Sequence, residues 1–270
     1  MAVPDPDELL ALAVEVAGLA AAVLREGAAH KRSEIDTKSS LTDMVTEIDR
    51  ASERVLVEAI HRARPDDGIL GEEGTSEAGS SGVRWIVDPL DGTTNYVYRL
   101  PSYAVSVGIE VDGAPTVGVV IDVARGETFA ARAGGGATIR AGEGVARPLR
   151  CSTADRLATA LVGTGFGYDA GRRARQGEVV AQVLPVVRDI RRNGSAAIDL
   201  CWVAAGRQDA YYELGPRPWD IAGGRVIATE AGATVGDLRG GQPAEFTLAA
   251  APGLFEPLRE LLAHLSADAG

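Results

Sequence analysis

Apolar residues recur at helical spacing near the start of the chain. Leu9, Leu12, Ala13, Val16, Ala20, Val23 and Leu24 fall mostly three or four residues apart, after an Asp5-Pro6-Asp7 start signal. This predicts a helix ending near Glu26. Residues 27–41 are polar and mixed and predict a mobile loop or hairpin. A second stripe of Ile48, Val55, Leu56, Ala59 and Ile60 predicts a helix from Thr46 to Arg64. Pro65-Asp66-Asp67-Gly68 is a turn signal. Ile69-Leu70 and Trp85-Ile86-Val87 are short apolar runs that predict buried strands, separated by a Gly/Ser-rich loop at 74–83. Ser102 to Val111 alternates with period two, and Asp112-Gly113 predicts a hairpin turn into Val117–Ile121 and then Glu127–Ala131.

The Gly134-Gly135-Gly136 run predicts a loop and a subdomain boundary near 135–150. Beyond it the pattern mixes. Strands are expected at Ala160–Val162, Ala210–Tyr212 and Thr247–Ala250. Helices are expected at Ala174–Val187, Ser195–Ala205, Ile221–Ala231 and Leu254–Leu265. No fixed-period repeat or heptad run interrupts this. The fold class is α+β or layered α/β, antiparallel first and mixed later. The 270 residues form one catalytic domain in this reading, with an α+β half over 1–145 and an α/β half over 146–270.

Composition narrows the function. With 27 basic and 38 acidic side chains the formal charge is -11, which excludes a general basic field for nucleic acid or anionic membranes. The N-terminal MAVPDPDE lacks a basic region, and Leu9–Leu24 is short and holds Glu15, so neither a signal peptide nor a membrane span is expected. Cys151 and Cys201 are too few for a disulfide framework and suit a reducing, cytoplasmic setting. Three His leave carboxylates as the main candidates for chemistry. Only two lysines stand among 27 basic residues, so Lys38 is chosen against a strong arginine bias.

The informative segment is Asp88-Pro89-Leu90-Asp91-Gly92-Thr93-Thr94-Asn95. Two acids leave a strand end three residues apart, with Pro89 stiffening the chain between them. Such a turn can present both carboxylates to one hard cation. The N–H groups of Gly92, Thr93 and Thr94 could then cradle a phosphate. A polar turn with Asp caps would use the same letters, so this motif alone is weak. Glu72-Glu73 also follow a short strand, and adjacent acids there need a neutralising charge. Asp220 begins a helix after Trp219, where a simple dipole interaction is the bland reading. Glu213 follows Tyr211-Tyr212, and Asp43, Thr46 and Asp49 cluster at the second helix start.

With these motifs in order, the chain resembles the inositol monophosphatase family of metal-dependent, lithium-sensitive phosphatases. The resemblance rests on Lys38–Thr46 with Asp49, Ile69–Glu73, Trp85–Tyr96, Arg192–Ala197, Asp209–Gly215 and Trp219–Gly223. Gly223 stands where members usually have Ala, and Ser195 where several have Thr. The resemblance implies a layered αβαβα sandwich, a homodimer and two to three Mg²⁺ ions. It implies that Glu72, Asp88 and the Leu90 carbonyl hold one ion and that Asp88, Asp91 and Asp220 hold a second. A weaker third ion would share Glu72. Thr93, linked to Asp49, would orient the attacking water, with Glu72 beside it. Gly92, Thr93 and Thr94 would hold phosphate, and Asp91, Gly194, Ser195, Ala196, Glu213 and Asp220 would contact the alcohol. Lys38 and Glu73 would order the mobile loop and the outer metal contacts.

The implied substrate is a small phosphate ester, with myo-inositol monophosphate favoured by Glu213 and the Gly194–Ala196 run. Fructose-1,6-bisphosphate, histidinol phosphate and 3'-phosphoadenosine 5'-phosphate are sister specificities on the same fold. A different class of role is binding. Some bacterial relatives are thought to associate with the transcription machinery, for which Arg188, Arg191 and Arg192 are the candidate basic patch; the simpler reading places these arginines beside a dimer interface or near the substrate.

Overall fold

The computed structural model describes residues 4–28, 35–37, 44–243 and 245–268. The elements in chain order are α1 (Pro6–Ala28), β1 (Ile35–Thr37), β2 (Met44–Thr46), α2 (Glu47–Ala63), β3 (Gly68–Gly71), β4 (Ser76–Glu77), β5 (Val83–Asp91) and α3 (Thr93–Tyr98). There follow β6 (Ala104–Val111), β7 (Ala114–Asp122), β8 (Glu127–Arg132), β9 (Gly136–Ala141), β10 (Arg147–Pro148) and β11 (Leu161–Thr164). The last are α4 (Ala170–Val183), β12 (Asp189–Arg191), α5 (Ala196–Ala204), β13 (Ala210–Leu214), α6 (Pro218–Glu230), β14 (Thr234–Gly236), β15 (Phe246–Ala250) and α7 (Pro252–His264).

The apolar stripe of α1 is its buried face: Leu9, Ala13, Val16, Ala17, Ala20 and Leu24 are all at most 2% exposed. It packs beside α2 on one face of an eight-stranded sheet of order β10-β9-β8-β7-β6-β5-β3-β4. On the other face lies α6, paired with α5. A five-stranded sheet, β12-β11-β13-β15-β14, follows, and α7 closes its far side with α4 beside it. This is the expected αβαβα layering. The first sheet is antiparallel except where β3 pairs parallel with β5, and the second is mixed. The small β1–β2 pair is an antiparallel hairpin ahead of α2.

Close contact between α6 and the large sheet is made by glycines. A Cβ at Gly118 would lie 2.2 Å from the Gly223 carbonyl oxygen, and one at Gly108 would lie 2.5 Å from the Ala222 Cβ. Gly223 is itself seated against two strands, since its own Cβ would meet the Val107 and Val119 carbonyls at 2.9 Å. The helix therefore rests on bare backbone. This fixes where its N-terminal residues, Asp220 among them, emerge.

Several expectations need correction. The 135–150 stretch is strand for part of its length: β9 and β10 extend the meander as far as Pro148. The helix expected at Ala174–Val187 starts earlier, because the Asp169 side chain caps it by accepting from Arg172 N–H at 2.8 Å, and it ends before Pro185. The strand expected to end at Val87 runs to Asp91, with a register shift between Asp88 and Asp91. Its pairing with β3 stops at Val87, so Pro89 has no ladder partner to satisfy on that side. The Asp112-Gly113 turn holds as expected, both residues having positive φ of 49° and 78°.

Candidate metal and phosphate site

The site is built where β5 leaves the sheet. The irregularity at Pro89 frees the Leu90 N–H from the ladder, and it donates to Asp88 Oδ1 at 2.9 Å. Gly92 then takes a left-handed conformation, φ 92°, which turns the chain into the short helix α3. A Cβ there would lie 2.9 Å from the Ser102 carbonyl, so the turn has no room for a side chain. Asp91 faces the other half of the chain. Its Oδ2 accepts from the Ser195 hydroxyl at 2.6 Å and from Ala197 N–H at 2.7 Å. That carboxylate thereby ties the start of α5 to the end of β5.

Glu72, Asp88 and Asp220 converge from β3's exit, β5 and α6. One oxygen from each lies within 4.8 Å of the others, so the three could hold one metal ion. The Arg217 N–H holds Asp220 Oδ2 at 2.6 Å. A cavity of about 520 Å³ opens over the cluster. Its walls include Leu90, Asp91, Gly92, Thr93, Thr94, Gly194, Ser195, Ala196 and Glu213 as well as the three acids.

Crowded, buried carboxylates resist ionisation. Burial raises the Asp88 pKa well above the ordinary carboxylate range, and Glu72, Asp91, Asp220 and Asp49 push it further. Asp220 is raised for the same reasons, with the Arg217 N–H opposing. Asp91 is pushed up to about 6 by burial, and its bonds to Ser195 and Ala197 hold it down. Burial likewise lifts Glu213 to about 7, against the Tyr211 hydroxyl that donates to it at 2.6 Å and the nearby Arg192. An all-oxygen donor set of mutually repelling acids is the environment that a hard divalent cation stabilises.

The model of the inositol monophosphatase family matches residues 5–269. The chain belongs to this family. It is 45% identical to the inositol-1-monophosphatase of Mycobacterium leprae, over 96% of this chain and 95% of that protein. A Nus factor SuhB from Pasteurella multocida is 41% identical over 86% of each chain. The solved structure of Mycobacterium tuberculosis SuhB superposes with a TM-score of 0.84 at 43% identity, covering 98% of this chain and 99% of that one. Inositol monophosphatases are phosphatases, and the acids assembled here fit a metal-dependent one.

Within this family member, one expected contact differs. The Thr93 hydroxyl donates to the Leu90 carbonyl at 3.1 Å, so the expected Thr93–Asp49 link is not the bond it makes. Asp49 is fully buried in α2, within electrostatic range of Asp88 but outside the cavity wall. Glu73 also points away from the cavity, 3.8 Å from Arg50 Nε. Lys38 and Asp43 lie outside the described residues. Of the three arginines read as a basic patch, Arg191 pairs with Asp189 and Arg192 lines the cavity, stacked near the Phe166 ring. Among the described residues, only Arg188 of the three makes no such contact.

Two acids escaped notice in the sequence. Glu53 is 5% exposed and accepts from Glu73 N–H at 2.7 Å and from the Thr75 hydroxyl at 2.7 Å, bracing the turn that carries Glu72. Asp199, 1% exposed in α5, accepts from Asn193 Nδ2 at 2.7 Å and Gln208 Nε2 at 2.9 Å. Asn193 in turn offers its carbonyl to Asn95 Nδ2 at 2.7 Å, which links the α3 turn to the segment before α5. Both acids sit on buried helix faces.

Proposed function

We propose that this family member is a Mg²⁺-dependent phosphomonoesterase acting on myo-inositol monophosphates, working as a cytoplasmic homodimer with residues 1–270 as one catalytic domain. The observation that carries the reading is the Glu72–Asp88–Asp220 cluster opening into the same cavity as the Gly92–Thr94 turn and Glu213. The donor set fits Mg²⁺: every candidate ligand is oxygen, and the buried acids need a positive charge to ionise together. Glu72, Asp88 and the Leu90 carbonyl would hold one ion, Asp88, Asp91 and Asp220 a second, and Glu72 would be shared with a third. Bound there, Mg²⁺ supplies Lewis-acid chemistry, acidifying water and neutralising phosphoryl charge.

The chain's own groups do the rest. The N–H groups of Gly92, Thr93 and Thr94 bind phosphoryl oxygens, and the Thr93 hydroxyl, turned from its Leu90 bond, orients the attacking water. Asp49 supports that arrangement electrostatically from beneath. Glu213, Ser195 and the Gly194–Ala196 backbone orient the polyol, with Asp91 and Asp220 reaching its hydroxyls. The inositol preference rests on Glu213, an acceptor suited to a ring of hydroxyls, and on the name of the Mycobacterium leprae relative. Lithium at millimolar concentration is expected to inhibit.

Phosphate release from a panel of esters, with and without Mg²⁺, tests this. Inositol-1-phosphate should turn over fastest, and EDTA should abolish release. Faster hydrolysis of fructose-1,6-bisphosphate, histidinol phosphate or 3'-phosphoadenosine 5'-phosphate would reassign the ester. Activity indifferent to EDTA would overturn the metal chemistry.

A further inference from the structure

A second cavity of about 520 Å³ lies on the far side of the Leu214–Pro218 segment. Glu72, Asp88 and Asp91 take no part in its wall. Its floor is apolar, with Ile86 and Ile109 from the large sheet and Ile221 and Val226 from α6. Gly108 and Ala222 line it too. Around that floor stand Arg84, Arg172, Arg217 and Arg225.

The arginines outnumber what could neutralise them. Arg84 and Glu110 are register partners on β5 and β6. Arg225, half-buried on α6, also feels Glu110, but no ion pair within 4 Å forms among the described residues. Two guanidinium groups therefore flank one carboxylate. Asp268, another acid of the wall, lies 3.7 Å from Arg239, and Glu245 is exposed. Burial makes the Arg225 charge costly, and Glu110 only partly offsets this. A half-buried cation beside an apolar floor suits a ligand with an anionic head and an apolar body.

We propose that this cavity is a second ligand site that takes a small organic anion, its carboxylate or sulfonate head against Arg84 and Arg225 and its apolar body on Ile86, Ile109 and Val226. The site is separate from the phosphate-ester cavity, although Arg172 and the Leu214–Arg217 segment border both.

The probe is 8-anilinonaphthalene-1-sulfonate, which combines an anionic head with an aromatic body and fluoresces on leaving water. It is titrated into the full chain with Mg²⁺ and saturating inorganic phosphate, so that the ester site is occupied. One saturable site is expected. Its dissociation constant should rise at least tenfold in Arg225→Gln, and also in Arg84→Gln, whose exposed position keeps the test available should the first variant fail to fold. Thermal melting checks that each variant is folded. Absence of saturable binding, displacement of the probe by phosphate, or unchanged affinity in the folded variants would overturn the proposal. Fluorescence needs no turnover, so the result stands apart from the substrate assignment.

Discussion

Glu72, Asp88 and Asp220 repel one another, and the fold holds them together regardless. Replacing one acid by its amide should relieve that repulsion in metal-free protein while removing a candidate ligand. Glu72→Gln is the clean case, because Asp91 also caps the start of α5 through Ser195 and Ala197. We expect Glu72→Gln to lose roughly 100-fold or more in turnover. Its melting temperature in EDTA should be equal to or above that of the parent. A large drop in melting temperature would make Glu72 structural. Asp199 gives a pH prediction. Burial lifts its pKa to about 8 in the folded chain, against about 4 when unfolded. Below both values it is neutral in both states. Between them the unfolded state releases the proton first, so stability falls as pH rises across that window. Asp199→Asn keeps an oxygen for Asn193 and Gln208 but cannot ionise. Melting in EDTA from pH 4 to 9 should show the variant gaining on the parent as pH rises. Parallel curves would refute the assignment.

At the scale of elements, Gly118 and Gly18 make opposite predictions from one substitution. Gly118→Ala would drive a methyl into the backbone of α6. It should destabilise by about 1–3 kcal/mol. Gly18 sits within α1 with open space around its Cβ direction. Gly18→Ala should stabilise by about 0.5–1 kcal/mol. Denaturant midpoints at constant m-value check both. Much of this level was legible in the chain. Stripes at helical spacing located α1 and α2, and alternation located β6 to β8. Short edge strands such as β12 and β14 carry three residues each, too few for a period to register. The extension of β5 through Pro89 was hidden because proline usually ends a strand; here the neighbouring strand has already stopped. The carboxylates Glu72, Asp88, Asp91 and Asp220 stood out after apolar runs or at a helix start, but each alone also suited a polar turn or a cap, and only the family resemblance grouped them. Glu53 and Asp199 did not stand out, since single acids inside helices read as surface charge until the packed face is known. The Thr93 hydrogen bond depends on a rotamer, which no spacing encodes.

For the molecule as a whole, the acid surplus acquires a location. A net charge of -11 looks like a solubility statement, but part of it is gathered into one cavity between the two halves of the chain. Metal binding should therefore stabilise the entire fold, because an unfolded chain cannot reassemble the cluster. At Mg²⁺ a hundredfold above its dissociation constant, the gain is about 2.7 kcal/mol per site. Differential scanning calorimetry with Mg²⁺ against EDTA should show a higher melting temperature, and Glu72→Gln should blunt the difference. Equal melting temperatures in the parent would mean that the cluster does not bind the ion in the native state. Among the described residues no helix is long and apolar enough to cross a membrane.

The glycine seat of α6 bears on how accurately such a cage can be made. Asp220 approaches the acids of the large sheet from far along the sequence, so its placement would ordinarily inherit the slack of every side chain between. Here the carrier helix is keyed to the strands main chain against main chain, at Gly118 and Gly223. Backbone has no rotamers to sample. The spacing of the cage is thus set as in a machined joint, by the hard dimensions of its parts, and the smallest possible addition of material, one methyl group, is enough to put it out of true.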